Sequence, residues 1–292
     1  MKRIFLVTLL AACTAANAQF GGFDLGKALD IGRKVVENKD AVKEYTQDEE
    51  IALGDALTAS VLGASPLHPD ANLQRYVNRV GKWVALHSDR PDLPWSFAVI
   101  DTDTINAFAM PGGDIIVSSG LVKRLSSESE LAGVLGHEIA HVVKKHQLQA
   151  IQSSARGNLF ASVGKDLAAE RIGRSGGGYA AQAVKTAASN AAADLIKDGF
   201  FLRPLDRSME YEADQLGVVI ATRAGYDPYG LVSALQMLAQ YKGGADAASM
   251  LSTHPPAGDR IGQLEQVLPS VQQYASHPQL EGRFRQVVGA AK

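Results

Sequence analysis

The chain is almost without cysteine: it has one, Cys13, in 292 residues. Cys13 lies in an N-terminal apolar stretch, so the rest of the chain forms no disulfide and offers no thiolate to a metal. Any metal site beyond that stretch must be built from histidine, glutamate and aspartate. A surplus of charge is also missing. With 29 basic against 31 acidic residues the net charge is -2. No basic stripe is interleaved with aromatics, which removes the electrostatic case for a nucleic-acid partner. After the N-terminal stretch no run approaches the roughly 20 apolar residues that span a bilayer, so no transmembrane helix is expected there. Hydrophobic residues still make up 46% of the chain, enough to bury a core in one large domain or two small ones.

Residues 1–18 read as an export signal: positive charge in Met1-Lys2-Arg3, an apolar core from Ile4 to Ala12, and a small-x-small cleavage site, Ala16-Asn17-Ala18. Leu10-Ala11-Ala12-Cys13 also resembles a bacterial lipobox, which would attach the protein to the outer membrane through a lipid on Cys13. Arg3 leaves the apolar core before Cys13 short, which favours soluble release into the periplasm. Residues 19–45 form a polar lead-in, and 269–292 read as a C-terminal tail.

Between them lies an alternation of helix and strand signals. Thr46 and Glu49 open a helix to about Ser60. A second runs from about Asp70 to His87, with Leu73, Tyr76, Val77, Val80 and Val84 as its apolar stripe. His68 and His87 read as surface residues at helix ends. Trp95 to Ile100 alternates like a strand, and Thr104 to Met110 pairs with Asp114 to Val117 across the Pro111-Gly112-Gly113 turn. Asn106, Ala107, Phe108 and Ala109 are candidates for an edge to which an extended peptide adds as a further strand. Residues 154–200 are alanine-rich and broken by Gly176-Gly177-Gly178, either a hinged cover over a cleft or an excursion without function. Two more helices are expected, from Leu231 to Tyr241 and from Arg260 to Leu268.

The chemistry centres on His137-Glu138-Ile139-Ala140-His141, in a helix that Ser127 and Glu130 open as a capping box. His137 and His141, four residues apart, differ by about 40° around the axis and project from one face, as two ligands of a tetrahedral zinc must. Glu138 lies roughly 100° round from His137, placed to act on a water beside the metal. A third protein ligand is needed. A histidine six residues after His141 is absent, since Gln147 stands there, and His146 projects about 140° away from His141 if the helix continues. Glu210 on a later helix is the better candidate. Asp214, four residues on, shares its face and can hold the far nitrogen of one histidine. Glu212 points away and reads as simply solvated. Arg207 is a candidate to pair with a carboxylate on the Glu210 face or to contact substrate. His254, in a rigid His-Pro-Pro turn, could approach the zinc as a fourth ligand, stabilise a transition state, or only pin its loop.

These motifs resemble the gluzincin metallopeptidases of the HtpX and BepA type, with mitochondrial Oma-type and CAAX prenyl proteases as more distant relatives. The resemblance also takes in Asn106 to Gly113 with Ser119-Gly120-Leu121, and Ser252-Thr253-His254-Pro255-Pro256 with Arg260-Ile261. It covers roughly residues 45–268. It implies an α+β, mostly helical, zincin-like domain at 46–268 with a small sheet beside the zinc helix. It implies one zinc per chain on His137, His141 and Glu210, a catalytic Glu138, and a supporting Asp214. The expected activity is hydrolysis of internal peptide bonds in unfolded or misassembled envelope proteins, with an outer-membrane partner as one route to substrate. Two rivals remain open: a zinc-binding holding protein that does not cut, and an exopeptidase with one end of its cleft blocked.

Overall fold

The computed structural model describes residues 45–153, 204–240 and 254–289. The expected export signal with Cys13, nearly all of the lead-in, the glycine-broken stretch 154–200 and Ser252-Thr253 lie outside the described residues. Helix α1, Gln47–Ala64, starts where the sequence signals it: Thr46 Oγ1 accepts from Glu49 N at 3.3 Å and Glu49 Oε2 accepts from Thr46 N at 2.8 Å. Helix α2, Ala71–Ala85, is capped by Asp70 Oδ1, which accepts from the amides of Asn72 and Leu73. Its apolar stripe, Leu73, Tyr76, Val77, Val80 and Val84, is buried as a unit.

Three short strands follow: β1 (Ser96–Ile100), β2 (Ala107–Ala109) and β3 (Asp114–Ser118), in the order β1-β3-β2. β1 runs parallel to β3, with Ser96 opposite Asp114, and β2 antiparallel, with Ala107 opposite Val117. The outer edge of β1 is closed by side chains of α2. Asn78 Oδ1 accepts from Phe97 N, and Gln74 both accepts from Val99 N and donates to Val99 O. His68, expected at the surface, is buried: its amide donates to Val99 O and its Nδ1 accepts from Asp70 N. The chain crosses the end of β1 there, a long-range contact with no local sequence signal.

A turn of helix, α3 (Ser119–Val122), leads to α4, Glu128–Val143. Ser127 Oγ accepts from Glu130 N, but Glu130 Oε2 takes the amide of Ser126, so the expected capping box is closed only on one side. α4 is buried along nearly its whole length. α5 (His146–Ser153) follows after a break, and α6 (Arg207–Arg223) lies against α4. The approach of these two helices depends on glycine. A Cβ on Gly217 would sit 2.6 Å from His137 N, and one on Gly136 would sit 2.7 Å from Gly217 O. Gly217→Ala should therefore push α6 from α4 and destabilise the protein by roughly 1–3 kcal/mol, measured by urea unfolding. A neutral result would mean that the helices are not held at this separation.

Beyond α7 (Gly230–Gln240), the expected helix from Arg260 to Leu268 is instead α8 (Ala257–Leu264) and a short α9 (Leu268–Val271). The residues expected as a tail fold back as α10, Glu281–Val288, and bury Phe284 and Val288 in the main core. A buried carboxylate anchors them. Glu128, at the start of α4, accepts from Tyr76 Oη at 2.6 Å, from Tyr226 Oη at 2.8 Å and from the Arg283 guanidinium. Burial and this carboxylate push both tyrosine pKa values up. Mostly helical with a three-stranded sheet, the molecule has the expected fold class. No helix of the described residues is long and apolar enough to cross a membrane.

Candidate metal centre

One turn of α4 and the first turns of α6 face each other across the glycine contact, and their polar side chains meet inside the protein. His137, Glu138, His141, Glu210 and Asp214 are all buried. The two imidazoles turn their Nε2 atoms together, 3.0 Å apart. Glu210 places Oε2 at 3.8 Å from His137 Nε2 and Oε1 at 3.6 Å from His141 Nε2. His254 arrives from the segment before α8, its Nε2 3.6 Å from Glu210 Oε2. One donor atom from each of His137, His141, Glu210 and His254 falls within 4.8 Å of all the others.

The donor set fits a small divalent cation. Ligands about 2.0–2.1 Å from a tetrahedral zinc stand about 3.3 Å from one another, and four of the separations here, taken over both Glu210 oxygens, run from 3.0 to 3.8 Å. Glu210 Oε2 is buried with no hydrogen-bond partner among the described residues, a cost that a cation would relieve. Burial lowers the pKa of both His137 and His141, with Arg260 adding to the effect on His137 and His137 itself adding to it on His141. Both rings are thereby kept neutral with a lone pair to offer.

Asp214 stands behind His137, its Oδ1 2.8 Å from Nδ1. Arg260 of α8, which sequence reasoning gave no role, clamps that carboxylate through Nε at 2.9 Å and Nη2 at 2.6 Å. Burial opposes the Asp214 charge, but the guanidinium's charge and hydrogen bonds outweigh it and hold the carboxyl well below its usual range. Arg260 Nη2 also lies 3.3 Å from His137 Nδ1. Nδ1 cannot accept there and donate to Asp214 as well. The shorter contact, to a carboxylate, decides: Nδ1–H donates to Asp214 and leaves Nε2 facing the donor cluster.

Three expectations are corrected. Arg207 is exposed at the start of α6, its Nη1 3.8 Å from Asp259 Oδ2 of α8 and not paired with Asp214; the arginine paired with Asp214 is Arg260. His146 does not point elsewhere. Lys145 adopts φ 57°, which ends α4 and turns His146 back until its Nδ1 lies 2.9 Å from His141 Nδ1. Glu212 is exposed but not merely solvated, because it takes Lys144 Nζ at 2.6 Å and lies 3.3 Å from His146 Nε2. Asn106, Ala107 and Ala109 are buried and Phe108 half-buried; β2, which begins just after Asn106, packs against α4 at one end of the sheet order.

Residues 71–268 match Peptidase family M48. The chain belongs to this family. Among curated relatives, the beta-barrel assembly-enhancing protease of Escherichia coli strain K12 is 28% identical over 263 residues, covering 89% of this chain and 51% of the relative. That of Yersinia pestis is 29% identical over 221 residues, covering 73% of this chain and 43% of the relative. The mitochondrial metalloendopeptidase OMA1 of Schizosaccharomyces pombe is 30% identical over 246 residues, with coverages of 84% and 63%. The chain thus spans about half the length of the bacterial relatives it matches.

Proposed function

We propose that this M48 chain is a zinc metalloendopeptidase of the periplasm that cuts internal bonds of unfolded or misassembled envelope proteins. The reading is carried by the buried convergence of His137, His141 and Glu210 beside Glu138. The names of the relatives support the protease class, and the name of the bacterial ones supports a link to beta-barrel assembly. One zinc per chain would be held by His137 Nε2, His141 Nε2 and Glu210, with His254 offering a further donor beside them. When bound, zinc supplies a Lewis acid that polarises the scissile carbonyl and makes a neighbouring water more acidic.

Glu138 does the proton work. Its carboxylate takes a proton from the attacking water and delivers it to the nitrogen of the leaving amine. Burial raises its pKa to about 8, Arg260 lowering it and Asp214 raising it by smaller amounts. A cation in the adjacent donor cluster would favour the charged carboxylate that the base must be. Asp214 and Arg260 fix the tautomer and orientation of His137. An extended substrate segment would lie along the outer edge of β2, the end strand of the sheet order.

The test is digestion of casein by the purified chain, before and after removal of metal with a chelator and again after zinc is restored. Cleavage lost and regained with zinc is expected. A chain that binds zinc and never cuts would overturn the proteolytic reading.

Zinc binding should also depend on pH. Burial raises Glu210, like Glu138, to about 8. A raised carboxyl stabilises the metal-free protein below its unfolded value, and that stability is lost as pH rises through the folded value. The lowered histidines act in the opposite sense only below their ordinary 6.5. Between 6.5 and about 8 this cluster should therefore make the metal-free protein less stable as pH rises. Over the same range zinc should bind more tightly, because fewer protons must leave the carboxyls. Competition with a chromophoric chelator measures the affinity; a flat profile would contradict the assignment of Glu210.

A further inference from the structure

The two histidines of the His-Glu-x-x-His turn are supported differently. His137 has a carboxylate behind it; His141 has another histidine. The main chain puts it there. Arg90 Nη1 donates to Val142 O, capping the end of α4, and the Lys145 turn starts α5 at His146. α5 is pinned by Leu148 and Ile151, which pack with Leu53 and Leu57 of α1. His146 is 1% exposed, between His141 on one side and Glu212 of α6 on the other.

The hydrogens of this chain of contacts can be assigned. Glu212 is a carboxylate, held as such by Lys144, and can only accept. His146 Nε2, 3.3 Å from Glu212 Oε2, therefore carries the hydrogen. A neutral imidazole has one N–H, so His146 Nδ1 is a lone pair. The 2.9 Å contact between the two Nδ1 atoms then needs a hydrogen on His141 Nδ1. That leaves His141 Nε2 unprotonated and directed at His137 and Glu210. We propose that His146 is a positioning residue for His141: it accepts the Nδ1–H of His141 and, held by Glu212 from behind, sets the tautomer and ring angle that present Nε2 to zinc. The proposal rests on the reading that His141 ligates zinc.

Replacing the outer partner of a metal-binding histidine typically costs roughly ten- to hundredfold in metal affinity. The test measures zinc affinity of the full chain and of three variants by competition with a chromophoric chelator at one pH, with thermal unfolding of the metal-stripped proteins alongside. His146→Leu should lose affinity by roughly ten- to hundredfold. His146→Asn should recover most of it, because its amide oxygen takes the place of Nδ1. His146→Gln, whose oxygen reaches instead to the place of Nε2, should behave like the leucine variant. Should His146→Leu fail to fold, the contrast between Asn and Gln still decides, since a merely structural role would not separate them in that order. Leucine binding zinc like the parent, or Asn and Gln losing alike, overturns the proposal. A parent chain that binds no zinc refutes the reading beneath it instead.

Discussion

Glu138→Gln should retain zinc and lose cleavage. A positioned general base contributes roughly 10²- to 10⁴-fold, and casein digestion by the variant should fall by that order. Glutamine keeps the size of the side chain and removes only its ability to take a proton. Folding should be unharmed, because with its pKa at about 8 the buried Glu138 is largely neutral in the metal-free protein at neutral pH, as an amide always is. Zinc content and initial rates on one preparation check both halves of the prediction. Undiminished cleavage would remove Glu138 from the reaction, whereas loss of zinc together with activity would move it into the metal's own support.

Asp214→Ala should be the most destabilising substitution at the site. Arg260 is 3% exposed and its two hydrogen bonds to Asp214 are its charge-matched ones. Breaking such a buried pair from one side costs about 3–5 kcal/mol, because the remaining charge is stranded. Glu138 and Glu210 lie within reach of that charge, but burial favours their neutral forms. Urea unfolding of the metal-free protein measures the loss. The pair replacement Asp214→Leu with Arg260→Met should recover much of the stability, since no charge is then left unpaired. It should not recover zinc affinity, because His137 Nδ1 has lost its acceptor. A double variant that restores both would mean that Asp214 serves the fold and not the histidine.

What could be read in the sequence was what depends on one helix at a time. The four-residue spacings of His137 with His141 and of Glu210 with Asp214 are properties of a regular helix, and the structure keeps both helices regular at those points. His146 was misplaced because its angle was projected along a helix that had already ended. The break is made by a left-handed lysine, and such a backbone carries no signal when glycine or asparagine is not there to mark it. Arg260 pairs with a residue 46 positions away, so no spacing could indicate it. Arg207, at two turns from Asp214, satisfied the spacing and failed because its long side chain leaves the helix start toward Asp259. The C-terminal helix was legible and was passed over: Phe284 and Val288 stand four apart, the repeat of a buried helical face.

The anchoring of Arg283 on Glu128 bears on the order in which the molecule can assemble. The contact spans 155 positions, and Ser129, the next residue of the same helix start, donates its hydroxyl to Pro278 O across 149. Closing so wide a loop costs chain entropy before any contact repays it. Until residues 278–283 have been synthesised, Glu128 has two tyrosines but no cation, and the first turn of the helix carrying His137 and Glu138 lacks its outer support. The turn that carries His137 and Glu138 is thus braced by a segment made long after it, and α4 gains that brace only when the later segment has folded back onto its start.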